Sequence, residues 1–189
     1  MTFNPLTALS PLDGRYAGKV DALREHFSEF GLIKARLKVE IEWLKALAAD
    51  PHFTEIPAFS PSTVAELDAL VANFTVEQAA EVKAEEAVTN HDVKALEYWI
   101  KKNTKGNAEV TKVGEFLHFA CTSEDINNLS HALMCQGARE QGMLPMLDKV
   151  IARLVELAHV NADVPMMSRT HGQPATPTTL GKEMANVAY

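Results

Sequence analysis

The segment RTHGQPATP, residues 169–177, places one imidazole beside a guanidinium, two hydroxyls and an amide. An imidazole gains or releases a proton close to neutral pH, and a well-placed general acid raises a reaction rate by ~10²–10⁴. The donors next to His171 in the sequence can bind a carboxylate or hold the ring. These residue types predict proton transfer beside an anion, and a histidine that only fixes a loop is the alternative.

The chain around His171 is predicted to be a stiffened loop between two helices. It runs from about residue 161 to residue 177, which is longer than most connections between packed helices, and ordered loops of this length are commonly functional. Its prolines lower the entropy lost on ordering, and Gly172 allows a ligand or another backbone to approach closely. We predict that this loop presents His171 to a bound ligand.

Two further polar segments precede predicted helices. Thr122 and Ser123 offer hydroxyl and N–H groups at a helix start, where an anion also gains from the helix dipole. Asn90, His91 and Asp92 offer an amide, an imidazole and a carboxylate at another helix start. Each segment also fits a helix N-cap without further function, so the residues alone leave both interpretations open.

Near the N-terminus, the segment SPLDGRY has the composition of a turn and presents Arg15 and Tyr16. A guanidinium and a phenol are suited to binding a phosphate group, although an ordinary surface turn accounts for the same residues. His118 and Cys121 give a weak zinc signal, and the sequence contains no paired His-x-x-x-His motif. We expect no metal ion and no organic cofactor.

Helical periodicity covers most of the sequence and predicts an all-α fold. Apolar residues recur every three or four positions from Val20 to Leu47, with Gly31 as a candidate break. Gly142 and Pro145 predict a kink or restart in a later helix. Capping patterns predict further helix starts at Ser60, Thr75 and Thr122.

The polar stretch at residues 101–107 predicts a domain boundary near residues 105–112. We predict an N-terminal helical domain over residues 1–111 and, over residues 112–189, the first long helices of a central helical bundle. Helical apolar spacing continues to Tyr189 without a stop signal. We therefore expect the remainder of a longer protein, or another chain, to cover the last helix.

Composition narrows the classes of function. The 189 residues carry a net charge of -7 and no basic run, which argues against nucleic-acid or membrane surfaces as partners. No stretch approaches the ~20 apolar residues that span a bilayer, and the sequence has no signal-peptide pattern. We therefore predict a cytoplasmic protein, and its two cysteines are too few for a secreted disulfide framework.

Four segments together resemble the bacterial adenylosuccinate lyases of the fumarase/aspartase superfamily. They are SPLDGRY, TNHDVKALEY, HFACTSEDINNLSHAL and SRTHGQPATPTTLGKEMANVAY, in family order and over essentially all 189 residues. The phrase HGQPATP is similar to the purine-pathway branch, whereas fumarases and aspartases tend to carry a Leu-Gln-Asp-Ala version. Argininosuccinate lyase is the nearest alternative, and SPLDGRY argues against it.

The resemblance implies elimination of fumarate from adenylosuccinate, and from the succinyl-carboxamide ribotide of purine synthesis, by a homotetramer without a cofactor. It implies that His171 is the general acid that protonates the leaving nitrogen. His91 would support charge or orientation, with the division of roles between the two histidines left open. The other residues that the resemblance implies as substrate contacts are Arg15, Tyr16, Asn90, Asp92, Thr122, Ser123, Thr170 and Gln173.

One family segment is missing from these residues. Family members carry a loop of the form GSSxMPxKxNP, and the resemblance implies that its serine is the base that removes the carbon proton. No such segment occurs in the 189 residues. We therefore expect this chain to hold the acid side of the site and to have no useful lyase activity by itself. A non-catalytic helical or nucleotide-binding fragment is the alternative from a different class.

Overall fold

Helices make up most of residues 4–189, which the computed structural model of the protein describes. The predicted all-α fold is confirmed, with four two-residue strands as an unexpected addition. The α-helices are α1 Asp21–Phe27, α2 Glu29–Ala49, α3 Pro61–Ala72, α4 Val76–Thr89, α5 Asp92–Asn103, α6 Ala108–Lys112, α7 Ser123–Gly137, α8 Leu144–Val160 and α9 Leu180–Ala188. The strands are β1 Pro165–Met166, β2 Arg169–Thr170, β3 Gln173–Pro174 and β4 Thr178–Thr179. Short 3₁₀ turns lie at Pro5–Thr7, Ala17–Lys19 and Gly114–Phe116, and a π-helical segment lies at Ala138–Met143.

The chain forms two compact units, of which the first ends at Ala138 and the second is Arg139–Tyr189. This division falls later than the predicted boundary between residues 111 and 112, because α7 packs against α1 and α2 of the first unit. The predicted boundary between residues 111 and 112 stays a prediction.

Helix α2 is the central element of the first unit, in contact with α1, α3, α4, α5 and α7. Its apolar face is fully buried at Leu37, Ile41 and Leu44, which accounts for the three- and four-residue spacing of the sequence. Trp99 of α5 lies in the same core and meets the ring of Phe74 edge to face, with 5.2 Å between ring centroids. Large buried side chains of this kind supply most of the stabilisation of the unit.

The break in the first helical stretch was predicted at Gly31, and this prediction is wrong. The chain leaves the helical conformation at Ser28, whose hydroxyl caps α2 by accepting the Gly31 N–H. Gly31 serves a different purpose, because a Cβ at this position would lie 2.5 Å from the carbonyl oxygens of Glu25 and His26. The glycine therefore allows the end of α1 to pack tightly against the start of α2.

Other predicted helix starts agree with the structure. Ser60 caps α3 by accepting the Thr63 N–H, and Thr75 forms a capping box with Gln78 at the start of α4. Pro145 lies in the first turn of α8, directly after the π-helical segment. The predicted restart near residues 142–145 is therefore confirmed.

The second unit consists of α8 and α9 with two short antiparallel ladders between them. Gly181 allows the two helices to approach, since a Cβ there would collide with the carbonyl oxygen of Ala158. Strand β1 pairs with β4, and β2 pairs with β3, where the sequence predicted an irregular loop. Among the described residues, no helix combines the length and apolar character that crossing a membrane requires.

Candidate active site

His171 lies at the tip of the β2–β3 hairpin. Thr170 pairs with Gln173, so the connection is the two-residue turn of His171 and Gly172. The φ angles of these two residues are 52° and 77°, and positive φ at both central positions is the signature of a type I′ turn. This turn type matches the twist of two antiparallel strands, so it explains why the chain reverses at this point.

The hairpin presents His171 in an unusual backbone conformation. A positive φ in a residue other than glycine costs free energy, and such residues cluster at functional sites. The side chains of His171 and its neighbours Arg169, Thr170 and Gln173 are exposed. The hairpin thus gathers the polar residues that the sequence singled out and leaves the imidazole accessible to a ligand.

His91 is the N-cap of α5. Its Nδ1 accepts the Lys94 N–H at 3.1 Å, which leaves the proton of the neutral ring on Nε2. Nε2 faces the Ser123 hydroxyl at 3.5 Å, a distance at the outer limit of a hydrogen bond. The structure therefore brings together His91 and Ser123, two residues from separate predicted segments.

The residues on either side of His91 have structural partners. Asn90 ends α4 in the left-handed conformation, with a φ of 51°. Asp92 binds the Arg36 guanidinium at 2.6 Å through Oδ2, and its Oδ1 accepts the Val93 N–H. Partial burial acts to raise the pKa of Asp92, but the Val93 N–H and the Arg36 charge outweigh it and hold that pKa below its ordinary value. Asp92 is therefore a carboxylate at neutral pH, and contact with substrate stays a prediction.

Thr122 and Ser123 differ in what their side chains do. Thr122 forms a capping box with Asp125: its hydroxyl donates to Asp125 Oδ2 at 3.0 Å and its N–H donates to the same oxygen at 2.7 Å. These bonds lower the pKa of Asp125. Thr122 thus fulfils the capping interpretation, whereas the Ser123 hydroxyl faces His91.

Arg15 and Tyr16 form an exposed pair in the turn before α1. The Arg15 guanidinium carbon lies 5.3 Å from the centroid of the Tyr16 ring, within the range of a cation–π contact. Among the described residues, no hydrogen bond or ion pair joins this pair to His91 or Ser123. The pair remains available to an external anion, and its role as a phosphate contact stays a prediction.

Glu40 and His118 form a buried pair that the sequence analysis missed. The carboxylate of Glu40 on α2 is 1% exposed and accepts a hydrogen bond from His118 Nδ1 at 2.7 Å. Its other oxygen is buried without a hydrogen-bond partner among the described residues. Burial raises the pKa of Glu40, while the His118 hydrogen bond opposes the rise. The sequence did hold a signal for this pair, because a glutamate stands among the apolar residues of α2.

His118 and Ala120 make the turn before α7 an unusual one. Their φ angles are 61° and 59°, a conformation that residues with a Cβ rarely adopt. His118 is bonded to Glu40 and lies close in sequence to Cys121, but no group of three or more metal-ligating side chains occurs within residues 4–189. The pair therefore braces the turn that leads into Thr122 and Ser123.

The sequence is similar to those of known proteins. The profile of the lyase family matches residues 14–189. Adenylosuccinate lyase from Escherichia coli K12 is 55% identical over all 189 residues, and the enzyme from Haemophilus influenzae is 56% identical over the same residues. Adenylosuccinate lyase from Legionella pneumophila is 47% identical over 186 residues. The chain spans 41% of the length of each of these relatives.

A solved structure supports the fold. The 3-carboxy-cis,cis-muconate lactonizing enzyme from Pseudomonas putida matches 88% of this chain with a TM-score of 0.52 and 24% sequence identity. The match covers 36% of that enzyme. At this identity the likeness concerns the helical fold.

Proposed function

Because this chain belongs to the lyase family, we propose that it is part of an adenylosuccinate lyase and supplies the general acid. The reaction is the elimination of fumarate from adenylosuccinate, which gives AMP, and from the succinyl-carboxamide ribotide of purine synthesis. The observation that carries the proposal is the exposed His171 imidazole at the hairpin tip, in a chain 55% identical to the Escherichia coli adenylosuccinate lyase.

In the proposed elimination, a base removes a proton from the carbon beside a carboxylate, and the electron pair forms the double bond of fumarate as the C–N bond breaks. His171 donates its proton to the departing nitrogen. Negative charge grows on the carboxylate during proton removal, and preorganised hydroxyls, N–H groups and cations stabilise it. The GSSxMPxKxNP loop is not among the 189 residues, so the proposal assigns the acid side of the site to this chain.

The substrate contacts follow from the same assignment. Arg15 and Tyr16 bind the nucleotide through its phosphate, which their exposed cation–π pair favours. His91 orients the substrate or balances its charge, and its contact with Ser123 supports a shared binding surface. The remaining proposed contacts are Asn90, Asp92, Thr122, Thr170 and Gln173.

Helix α8 exposes apolar side chains, among them Met146, Leu147 and Val150, and a surface of this kind favours contact with other protein segments. We propose a homotetrameric enzyme in the cytoplasm that acts on a small nucleotide, with neither nucleic acid nor membrane as a partner.

Substrate cleavage by the natural polypeptide that contains these residues tests the function. We expect fumarate release from adenylosuccinate and none from argininosuccinate. The H171A variant should lose ~10²–10⁴ in kcat because no acid protonates the leaving nitrogen. The matched control is H52A, since His52 lies in an exposed turn after α2. Unchanged turnover by H171A, or preferred cleavage of argininosuccinate, would contradict the proposal.

A further inference from the structure

Arg36 is a buried cation on the central helix of the first unit. It is 6% exposed and lies on α2 beside the buried core residues Ile33 and Leu37. A charged side chain in such surroundings loses its hydration, so it persists only where hydrogen bonds and opposite charge compensate. The partners of Arg36 therefore indicate what the residue is for.

Those partners come from two different helices. Arg36 Nη2 binds Asp92 Oδ2 of α5 at 2.6 Å, and Arg36 Nε donates to Asn127 Oδ1 of α7 at 2.8 Å. The amide of Asn127 in turn donates to Glu124 Oε1 at 2.9 Å. A guanidinium is planar and holds its donors in fixed directions, so a single side chain fixes α5 relative to α7.

The two attachment points lie next to His91 and Ser123. Asp92 directly follows His91, and Asn127 is four positions, about one helical turn, after Ser123. The His91 and Ser123 side chains face each other at 3.5 Å across the two helix starts. Because this separation is already at the outer limit of a hydrogen bond, a small outward shift of either helix would break the contact.

Charge is the second effect of the arrangement. The groups that face His91 are the Asp92 carboxylate, with Oδ1 3.8 Å from Nδ1, the Lys94 N–H on the same helix, the Ser123 hydroxyl of α7 and, behind Asp92, the Arg36 guanidinium of α2. With Arg36 in place, the Asp92 charge is balanced. Without it, the carboxylate would attract a proton to His91 Nδ1 and break the bond from Lys94 N–H.

We propose that Arg36 is a positioning residue, which holds His91 against Ser123 by binding Asp92 and Asn127 together and keeps His91 Nδ1 free of a proton. The structural part of this proposal is independent of the reaction. Its consequence for turnover rests on the proposed lyase function.

The direct test follows the protonation of His91 in the natural polypeptide. Diethyl pyrocarbonate modifies an imidazole only in its unprotonated form, and mass spectrometry of the His91 peptide gives the rate at each pH. In R36M the pH midpoint of this modification should rise by on the order of one unit, because Asp92 is no longer balanced. In R36M/D92N the midpoint should return towards that of the natural protein, since the carboxylate has been removed.

The second measurement is turnover. In R36M the kcat for adenylosuccinate should fall about 10- to 100-fold through misplacement of His91, with KM changed less than kcat. The matched control is K45M, which removes a different positive charge of α2. Lys45 pairs with Glu42 and Asp68, so K45M should change neither the modification midpoint nor kcat. If the natural polypeptide cleaves no adenylosuccinate, the proposed function fails, while the modification midpoint still tests the role of Arg36.

Two outcomes would overturn the proposal. One is a folded R36M protein whose midpoint and kcat equal those of the natural protein. If R36M does not fold, R36K serves instead, because lysine keeps the charge but cannot reach both partners with one rigid fork. An R36K protein with an unchanged midpoint and an unchanged kcat would also overturn the proposal.

Discussion

His91 of the first unit begins a helix with an extended backbone at φ -149°, whereas His171 of the second unit turns a hairpin at φ 52°. The His91 ring meets Ser123, 32 positions away in sequence, and its neighbour Asp92 binds Arg36 of α2. His171 is supported by strands that are adjacent in sequence. One histidine thus depends on tertiary contacts and the other on local turn chemistry.

The two histidines should therefore respond to different perturbations. Changes in the packing of α2 should act on His91 and on the stability of the first unit. Changes in the turn residues of the hairpin should act on His171 and leave the first unit intact. Substitutions in the two units test that separation.

Gly31→Ala should have the largest effect, and it should act on the first unit. The added Cβ would meet two backbone carbonyl oxygens at 2.5 Å, and overpacking of this kind costs about 3 kcal/mol in the free energy of unfolding. Urea unfolding measures the loss. The control is Gly18→Ala, where a Cβ meets nothing within 4 Å, and equal stability of the two variants would show that α1 and α2 are not tightly joined.

Gly172→Val should act on the hairpin alone. Valine disfavours the φ of 77° that the turn requires, so His171 would be displaced and kcat for adenylosuccinate should fall about 100-fold. The free energy of unfolding of the first unit should stay the same. The control is Gly106→Val, at a glycine with open space around it. A similar loss of kcat in that variant would mean that the loss does not come from a displaced hairpin.

His118→Ala should have a smaller effect, of about 2 kcal/mol, by leaving the Glu40 carboxylate buried without any partner. Burial raises the pKa of Glu40, so the folded state binds this proton more tightly than the unfolded state. Such a group favours folding below its unfolded pKa and reduces stability as the pH rises through the folded pKa.

The loss in His118→Ala should therefore be greater at pH 8 than at pH 5, which urea unfolding at both pH values would measure. The control is the double variant E40M/H118A, in which the carboxylate is gone and the difference between the two pH values should disappear. A loss that is the same at both pH values would mean that the buried Glu40 carboxylate is not its source.

Sequence reasoning succeeded where the physical cause is local. The starts of α3 and α4 were predicted because Ser60 and Thr75 cap their own helices within three residues. It failed at Gly31, whose small size serves the contact between α1 and α2. It also missed the β2–β3 hairpin, because strands of two residues with a proline carry no alternating pattern.

The amino-acid sequence by itself determined the helical character of the chain, most helix starts and the residues suited to acid–base chemistry, because periodicity and capping act over a few neighbouring positions. Only the tertiary structure decided that Ser123 faces His91. The same holds for the bonds of Arg36 to Asp92 and Asn127, and for the bond of Glu40 to His118. A buried charge needs a partner at a defined distance, and that partner can lie anywhere in the sequence, so no local pattern reveals it.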